Sequence, residues 1–210
     1  RALPSERLLA WLFAELEHVP AENFTIIIGT GTHRPNTPEE IIRMVGKNIA
    51  SRYKVINHNA FDPDTLRQVG TREGGLPIYM NRHYVEADKR IIMGFIEPHF
   101  MAGFSGGYKA IFPGITDFES IMFYHRAAVI GDPRSTWGNL DRNPTQEQIR
   151  RNGSQAGVDF CINVTLNSKG QITAFFCGDV VTAHDQGCAF AKATAMARCD
   201  RAYPVVITSN

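Results

Sequence analysis

The feature that most constrains this sequence is an alternation between two hydrophobic patterns over residues 5–61. Residues 5–18 carry apolar side chains at helical spacing, whereas residues 24–28 form a short, mostly β-branched run that leads into glycines. A second helix is predicted over 36–46, and residues 53–61 are predicted to form the next strand. This alternation predicts an α/β fold, a Rossmann-like layered domain with a largely parallel sheet flanked by helices.

The start of the second helix is the best-defined boundary in the sequence. Thr37 suits the N-cap, Pro38 the first helical position, and Glu39 and Glu40 the first turn. No repeat, low-complexity tract or linker follows, so residues 1–210 are predicted to form a single domain. The other predictions are strands at 77–84 and 90–97, a helix at 115–131, a polar, turn-rich section at 131–152, a hairpin at 159–179 and a helix at 183–199.

Composition and charge exclude several classes of protein. The 22 basic and 21 acidic side chains leave a net charge of +1, which favours neither nucleic acid nor an anionic membrane as a partner. No apolar run approaches the roughly 20 residues that a membrane-spanning helix needs. The four cysteines form no Cys-x-x-Cys pair, so reduced thiols in a cytoplasmic protein are expected, rather than a zinc site or a disulfide framework.

Two glycine-rich loops follow predicted strand ends, the position at which open α/β sheets bind ligands. The first loop, GTGTHRP, carries His33. The second lies within residues 96–114 and carries His99 and Lys109. Both loops are therefore candidates for one shared site.

The glycines of the second loop have a physical use. Gly103, Gly106 and Gly107 allow backbone N–H groups to turn toward an anion, and the Ser105 hydroxyl can add a donor. Lys109 then supplies a positive charge or a nucleophilic amine. The loop lacks the Ser or Thr that follows the lysine of a P-loop and holds magnesium. The segment alone is compatible with a phosphate or cofactor site, and equally with a tight turn that carries a surface lysine.

The histidines differ in how strongly their positions suggest chemistry. His33 and His99 lie beside glycines at predicted strand ends, and two imidazoles suit acid–base work on opposite sides of a substrate. His125 falls within a predicted helix, where a partly buried structural histidine is the expectation, and the role of His184 at a predicted helix start stays open. No His-x-x-x-His or His-Glu-x-x-His spacing supports a zinc hydrolase.

A set of motifs, in their order along the chain, resembles the nickel-dependent lactate racemase family, and in particular its N-terminal domain. The motifs are GTGTHRPNTPEEI, NHNAFD, GLPIYMNRHYVEAD, GFIEPHFMAGFSGGYKAIFPGI, FYH, GNLDRNP, and FCINVTLN with AFFCGD and AH. The resemblance runs over nearly the whole chain. It implies a racemase or epimerase of a 2-hydroxy acid, with lactate as the family's named substrate, that works by reversible hydride transfer.

The resemblance also implies roles for individual residues. Lys109 corresponds to the lysine that holds the family's cofactor, a pyridinium-3-thioamide-5-thiocarboxylic acid mononucleotide, through a thioamide link. His125 corresponds to the protein ligand of a nickel ion, which this nickel-pincer nucleotide otherwise holds by two sulfurs and one ring carbon. His33 and His99 correspond to the family's two acid–base histidines.

Further contacts implied by the resemblance concern the nucleotide and the rest of the protein. The nucleotide is expected to approach the backbone at Ser105, Gly106 and Gly107. Arg1 is expected to be the arginine of the family's Asp-x-x-Arg-Pro segment and to contribute to the cofactor site, with the aspartate outside this sequence. The family's C-terminal domain, which closes the cleft, has no counterpart in the 210 residues, and the isolated domain is expected to be inactive.

Two alternatives stand beside a lactate-type racemase. One is a racemase for a different 2-hydroxy acid, and the other is a nucleotide- or nickel-binding module without racemase activity. An NAD-dependent dehydrogenase is disfavoured, because residue 34 is Arg where a dinucleotide-binding loop that begins at Gly29 would have its third glycine.

Overall fold

The computed structural model describes residues 3–197, which form a mixed α/β structure of helices and small sheets. The α-helices are α1 (Ser5–Glu15), α2 (Pro38–Val45), α3 (Lys47–Arg52), α4 (Arg82–Val85), α5 (Phe118–Tyr124), α6 (Ala127–Ile130), α7 (Pro144–Gly153) and α8 (Val180–Ala195). The strands are β1 (Thr25–Ile28), β2 (Lys54–Asn57), β3 (Leu66–Thr71), β4 (Pro77–Asn81), β5 (Ile91–Phe95), β6 (Pro98–His99), β7 (Gly103–Phe104), β8 (Phe160–Leu166) and β9 (Ile172–Gly178). Within this range, no helix is both long and apolar enough to cross a membrane.

The sheets differ from the predicted Rossmann-like layer, which was expected to be largely parallel. β1 pairs in parallel with β2, and β5 pairs in parallel with β8. However, β8 pairs antiparallel with β9, and β3 pairs antiparallel with β4, so the described strands form small mixed sheets. The predicted hairpin at 159–179 is part of the reason, because a tight turn returns the chain beside its own strand and makes the pair antiparallel.

A groove between β1 and β5 also divides the sheets. Ile27 and Ile92 pack in one hydrophobic cluster, whereas Ile26 and Met93 pack in another, so the two strands present matching faces. The groove, of about 1850 Å³, is lined by consecutive residues of both strands and by Lys109. Among the described residues, β1 pairs only with β2 and β5 only with β8. The described strands therefore form separate small sheets here, in place of the single Rossmann-like layer that was predicted.

The predicted start of α2 is confirmed in detail. The Thr37 hydroxyl accepts a hydrogen bond from the Glu40 backbone N–H at 3.3 Å, and the Glu40 carboxylate accepts one from the Thr37 N–H at 2.9 Å. Pro38 occupies the first helical position. This reciprocal capping satisfies two N–H groups that a helix start otherwise leaves unpaired. Because it requires particular side chains at Thr37 and Glu40, the start of the helix could be predicted from the sequence.

The single helix predicted at 115–131 is broken near its middle. α5 ends at Tyr124, His125 is its C-cap, and Arg126 is extended before α6 begins. The Arg126 guanidinium lies 3.9 Å from the centre of the Phe123 ring and pairs with Glu73 at 2.7 Å. These contacts draw the chain out of the helical path, and they place His125 at a helix end instead of in the middle of a helix.

Helix α7 lies in the section that was predicted to be polar and turn-rich. Its side chains are mostly polar, and Ile149 is its only large apolar residue that is fully buried, so no helical hydrophobic period is visible. The available signal is Asn143 followed by Pro144, since Asn143 Oδ1 accepts from the N–H groups of Thr145 and Gln146. An Asn N-cap before a Pro marks a helix start even without a hydrophobic period.

His184 joins α8 to two other parts of the fold. This side chain is 2% exposed; its Nε2 lies 3.0 Å from the Ser105 carbonyl oxygen, and its Nδ1 lies 3.1 Å from Arg150 Nη2. Because α8 begins at Val180, His184 lies inside the helix rather than at its start. Burial, together with the Arg150 charge, lowers the pKa of His184 to about 4.

We expect acid to destabilise the protein partly through His184. The unfolded chain protonates this histidine near pH 6.5, whereas the folded protein does so only near 4, so the unfolded state binds more protons between these values. The stability that the neutral ring provides is complete above about pH 6.5 and is lost as the pH falls toward 4. Between pH 6.5 and 5, the free energy of unfolding should fall by about 1.5 kcal/mol less in His184→Gln than in the parent.

Urea unfolding at both pH values measures this difference. His18 is exposed, so His18→Gln is the matched control for the loss of one histidine. Equal losses of stability in the parent and in His184→Gln would contradict the assignment.

Candidate active site

The loop that carries His33 packs against the segment that follows Lys109. The Gly31 N–H donates to the Gly114 carbonyl at 2.9 Å. A Cβ atom on Gly29 would lie 3.2 Å from the same carbonyl oxygen, so the two backbones are nearly in contact at this point. His33 itself is exposed. The structure thus brings together the two glycine-rich loops that were singled out in the sequence.

His99 is held in one tautomer by the turn that follows it. Its Nδ1 accepts hydrogen bonds from the backbone N–H groups of Met101 at 3.3 Å and Ala102 at 3.2 Å. In the neutral ring the proton is therefore on Nε2, which makes that nitrogen a donor. The ring also stacks on Phe100, with 4.7 Å between ring centres.

His99, Lys109 and His125 form one electrostatic cluster. Burial lowers the pKa of His99 to about 4, and the positive charges of Lys109 and His125 lower it further in the same direction. Lys109 and His125 are therefore close enough to His99 to affect its titration. His99 is consequently neutral at physiological pH.

Lys109 lies in the 3-10 helix Gly107–Ala110 and is half-buried. Burial lowers the pKa of its amine, which raises the fraction of nucleophilic, neutral amine. Within residues 3–197, no carboxylate forms an ion pair with this lysine. A partly desolvated amine that has no counter-ion among the described residues is unusual for a structural lysine and suits covalent attachment of a ligand.

His125 is held in the opposite tautomer to His99. Its Nδ1 lies 2.8 Å from the Ile121 carbonyl oxygen, and since a carbonyl can only accept, Nδ1 carries the proton. The lone pair is therefore on Nε2, while the Tyr124 ring packs edge-on with 4.6 Å between ring centres. An imidazole whose Nδ1–H is bound to a backbone carbonyl is oriented for a metal ligand at Nε2.

The polar groups of the glycine-rich loop are largely used inside the protein. The Ser105 hydroxyl donates to the Phe95 carbonyl at 2.9 Å and accepts from the Glu97 N–H at 3.0 Å. The Gly107 N–H donates to Asn163 Oδ1 at 3.2 Å. These bonds give the loop a fixed shape, and the expected approach of a nucleotide to Ser105, Gly106 and Gly107 stays a prediction.

Arg1 lies outside the described residues. Among residues 3–197, no group of three or more His, Cys, Asp or Glu side chains could hold a metal ion by itself. Sequence reasoning left His184 open and missed Asn163, which binds the loop from β8. Both residues lie in motifs of the family resemblance, AH and FCINVTLN, but these motifs do not reveal the contacts with the loop, because the contacts are long-range.

Comparison with known proteins finds lactate racemases among the proteins that are similar to this chain. Residues 1–138 match the lactate racemase N-terminal domain family. The lactate racemase of Lactiplantibacillus plantarum is 35% identical over 193 residues, which are 91% of this chain and 46% of that protein. The lactate racemase of Thermoanaerobacterium thermosaccharolyticum is 34% identical over 100% of this chain and 49% of its own length.

The fold is also similar to a solved structure. The lactate racemase apoprotein of Thermoanaerobacterium thermosaccharolyticum superposes with a TM-score of 0.86 at 34% identity, over 90% of this chain and 46% of that one. The chain thus spans about half the length of the curated relatives it matches. By the match over residues 1–138, the chain belongs to the lactate racemase N-terminal domain family.

Proposed function

We propose that this chain is the part of a 2-hydroxy-acid racemase, of the lactate type, that holds the cofactor and the acid–base histidines. The observation that carries the proposal is the half-buried amine of Lys109, which has no carboxylate partner among residues 3–197 and which, with His125, affects the pKa of His99. The names of the two curated relatives support the same class of reaction. The groups in the site act on a hydroxyl and a Cα–H, which every 2-hydroxy acid has, so a related acid is an alternative substrate.

The site fits a nickel–pyridinium nucleotide. Lys109 offers an amine for a thioamide link, and His125 offers one Nε2 lone pair as a metal ligand. No protein cluster among the described residues completes a metal site, which fits a metal whose other donors come from the cofactor. When bound, this group would supply a reversible hydride acceptor for the substrate Cα.

The histidines handle the proton of the substrate hydroxyl. Removal of hydride requires that a base take this proton, and the two enantiomers place the hydroxyl on different sides, so two groups are needed. His33, exposed on its loop, is free to face one side. Nε2 of His99 carries the proton and can act as a donor, and it can accept a proton only after the turn at Met101 and Ala102 releases Nδ1.

The first prediction concerns the covalent link at Lys109. Full-length protein produced with nickel and the cofactor-synthesis enzymes should carry a covalent mass adduct on Lys109, and Lys109→Ala should carry none. Intact-mass spectrometry followed by peptide mapping measures both. Lys169, on the turn between β8 and β9, gives the matched control, since Lys169→Ala should retain the adduct. An unmodified parent, under conditions that modify another family member, would contradict the proposal.

The second prediction concerns the two acid–base histidines. His33→Ala and His99→Ala should each lower racemisation at least about 100-fold, because each removes a group that transfers a proton. Rates are measured from both enantiomers of lactate and of related 2-hydroxy acids, with His18→Ala as the control. Racemisation that survives both changes would contradict the two-histidine mechanism.

The third prediction concerns nickel binding by His125, as distinct from the covalent adduct on Lys109. His125→Ala should keep the adduct on Lys109 but lose most of the nickel, because only the metal ligand is removed. Elemental analysis per mole of adduct gives the nickel content. Full nickel occupancy in His125→Ala would rule out this histidine as the ligand.

A further inference from the structure

We propose that His184, from helix α8, is a positioning residue for Lys109: it clamps the loop Ser105–Gly107, from which the 3-10 helix of the lysine begins. The inference rests on the proposed function only in so far as Lys109 is taken to be the working amine. His184 lies outside the cluster of His99, Lys109 and His125, and none of the roles implied by the family resemblance uses it.

The contact with Arg150 leaves His184 a single tautomer. A guanidinium has only donors, so the Nδ1 atom of His184, 3.1 Å from Arg150 Nη2, must accept. The proton is therefore on Nε2, which donates to the Ser105 carbonyl at 3.0 Å. Arg150 is itself held by an ion pair with Asp185, the neighbour of His184 on α8. Asp185 thus holds Arg150, and Arg150 fixes the tautomer in which His184 donates to the loop.

The ring also sets the path of the loop by its shape. A Cβ atom on Gly107 would lie only 2.9 Å from Cγ of His184, so the loop backbone lies directly against the imidazole. Gly106 and Gly107 both have positive φ, at 86° and 56°, which lets the chain follow this surface. Another side chain in place of His184 would change both a hydrogen bond and a packing surface.

Asn163 holds the loop through a second side chain. Its Oδ1 accepts from the Gly107 N–H at 3.2 Å, so the loop is bound at one carbonyl by α8 and at one N–H by β8. The Lys109 N–H then donates to the Gly106 carbonyl at 3.1 Å. One short turn therefore separates the clamped backbone from the amine, and a displaced loop moves the amine with it.

The test measures the reactivity of the Lys109 amine. In the cofactor-free full-length protein, the rate at which each lysine reacts with acetic anhydride is measured from pH 7 to 11 by peptide mass spectrometry. His184→Leu, which keeps a buried side chain without a donor, should change the rate at Lys109 at least threefold and move its titration toward that of an exposed lysine. Lys169 and Lys192, both exposed, should not change and serve as internal references.

Matched variants separate positioning from general destabilisation. Val180→Ala removes buried apolar volume from the same helix without touching the loop bond, and it should leave the Lys109 titration unchanged. His184→Gln, whose amide N–H can reach a carbonyl, should lie between His184→Leu and the parent. A Lys109 titration in His184→Leu that equals the parent's, or one that moves equally in Val180→Ala, would overturn the proposal.

A second measurement covers the case in which His184→Leu does not fold. Long-range ¹H–¹⁵N spectra of the parent should show His184 protonated at Nε2 alone at pH 7, and Arg150→Met should relax this preference and alter the reactivity of Lys109. A ring protonated at Nδ1 would refute the clamp. Because these readouts need no cofactor, failure here is distinct from a missing adduct at Lys109, which tests the proposed function.

Discussion

The structure depends on the close backbone contact that the segment 105–117 makes with the loops around it. The Gly114 carbonyl accepts from the loop after β1, the Ile115 carbonyl from the end of β4, and the Thr116 carbonyl from the buried ring of His58. Each of these bonds joins residues far apart in sequence and ties a different element to one buried stretch. Lys109 lies in the middle of this stretch, and the loop that carries His33 is held against it.

In the two half-buried histidines, His99 and His125, hydrogen bonds with the backbone determine which ring nitrogen carries the proton. His99 faces two N–H groups and keeps its proton on Nε2, whereas His125 faces a carbonyl and keeps its lone pair there. Nε2 is thus a hydrogen-bond donor in His99 and a potential metal ligand in His125. No neighbouring carboxylate is required for either assignment, because the choice is made by turn and helix-end geometry.

Local signals predicted more of this molecule than long-range ones. Close backbone approach requires glycine, so the loops beside His33 and Lys109 could be found from their glycines. Helix capping requires particular side chains, so the start of α2 could be found from Thr37 and Glu40. The α/β class was predicted correctly, but the largely parallel sheet was not, since strand pairing across the chain leaves no such mark. His184 could not be assigned, because its partners Ser105 and Arg150 are 79 and 34 residues away.

The groove between β1 and β5 has a consequence for how these residues behave in solution. In the described part of the chain, both strands present an edge with no partner strand, and isoleucine side chains line the space between them. An open strand edge is a template for any other extended chain, and apolar side chains beside it strengthen the pairing. With a net charge of only +1, little repulsion opposes such contacts. Colloidal stability of the 210-residue chain is therefore governed by whether another strand covers these two edges.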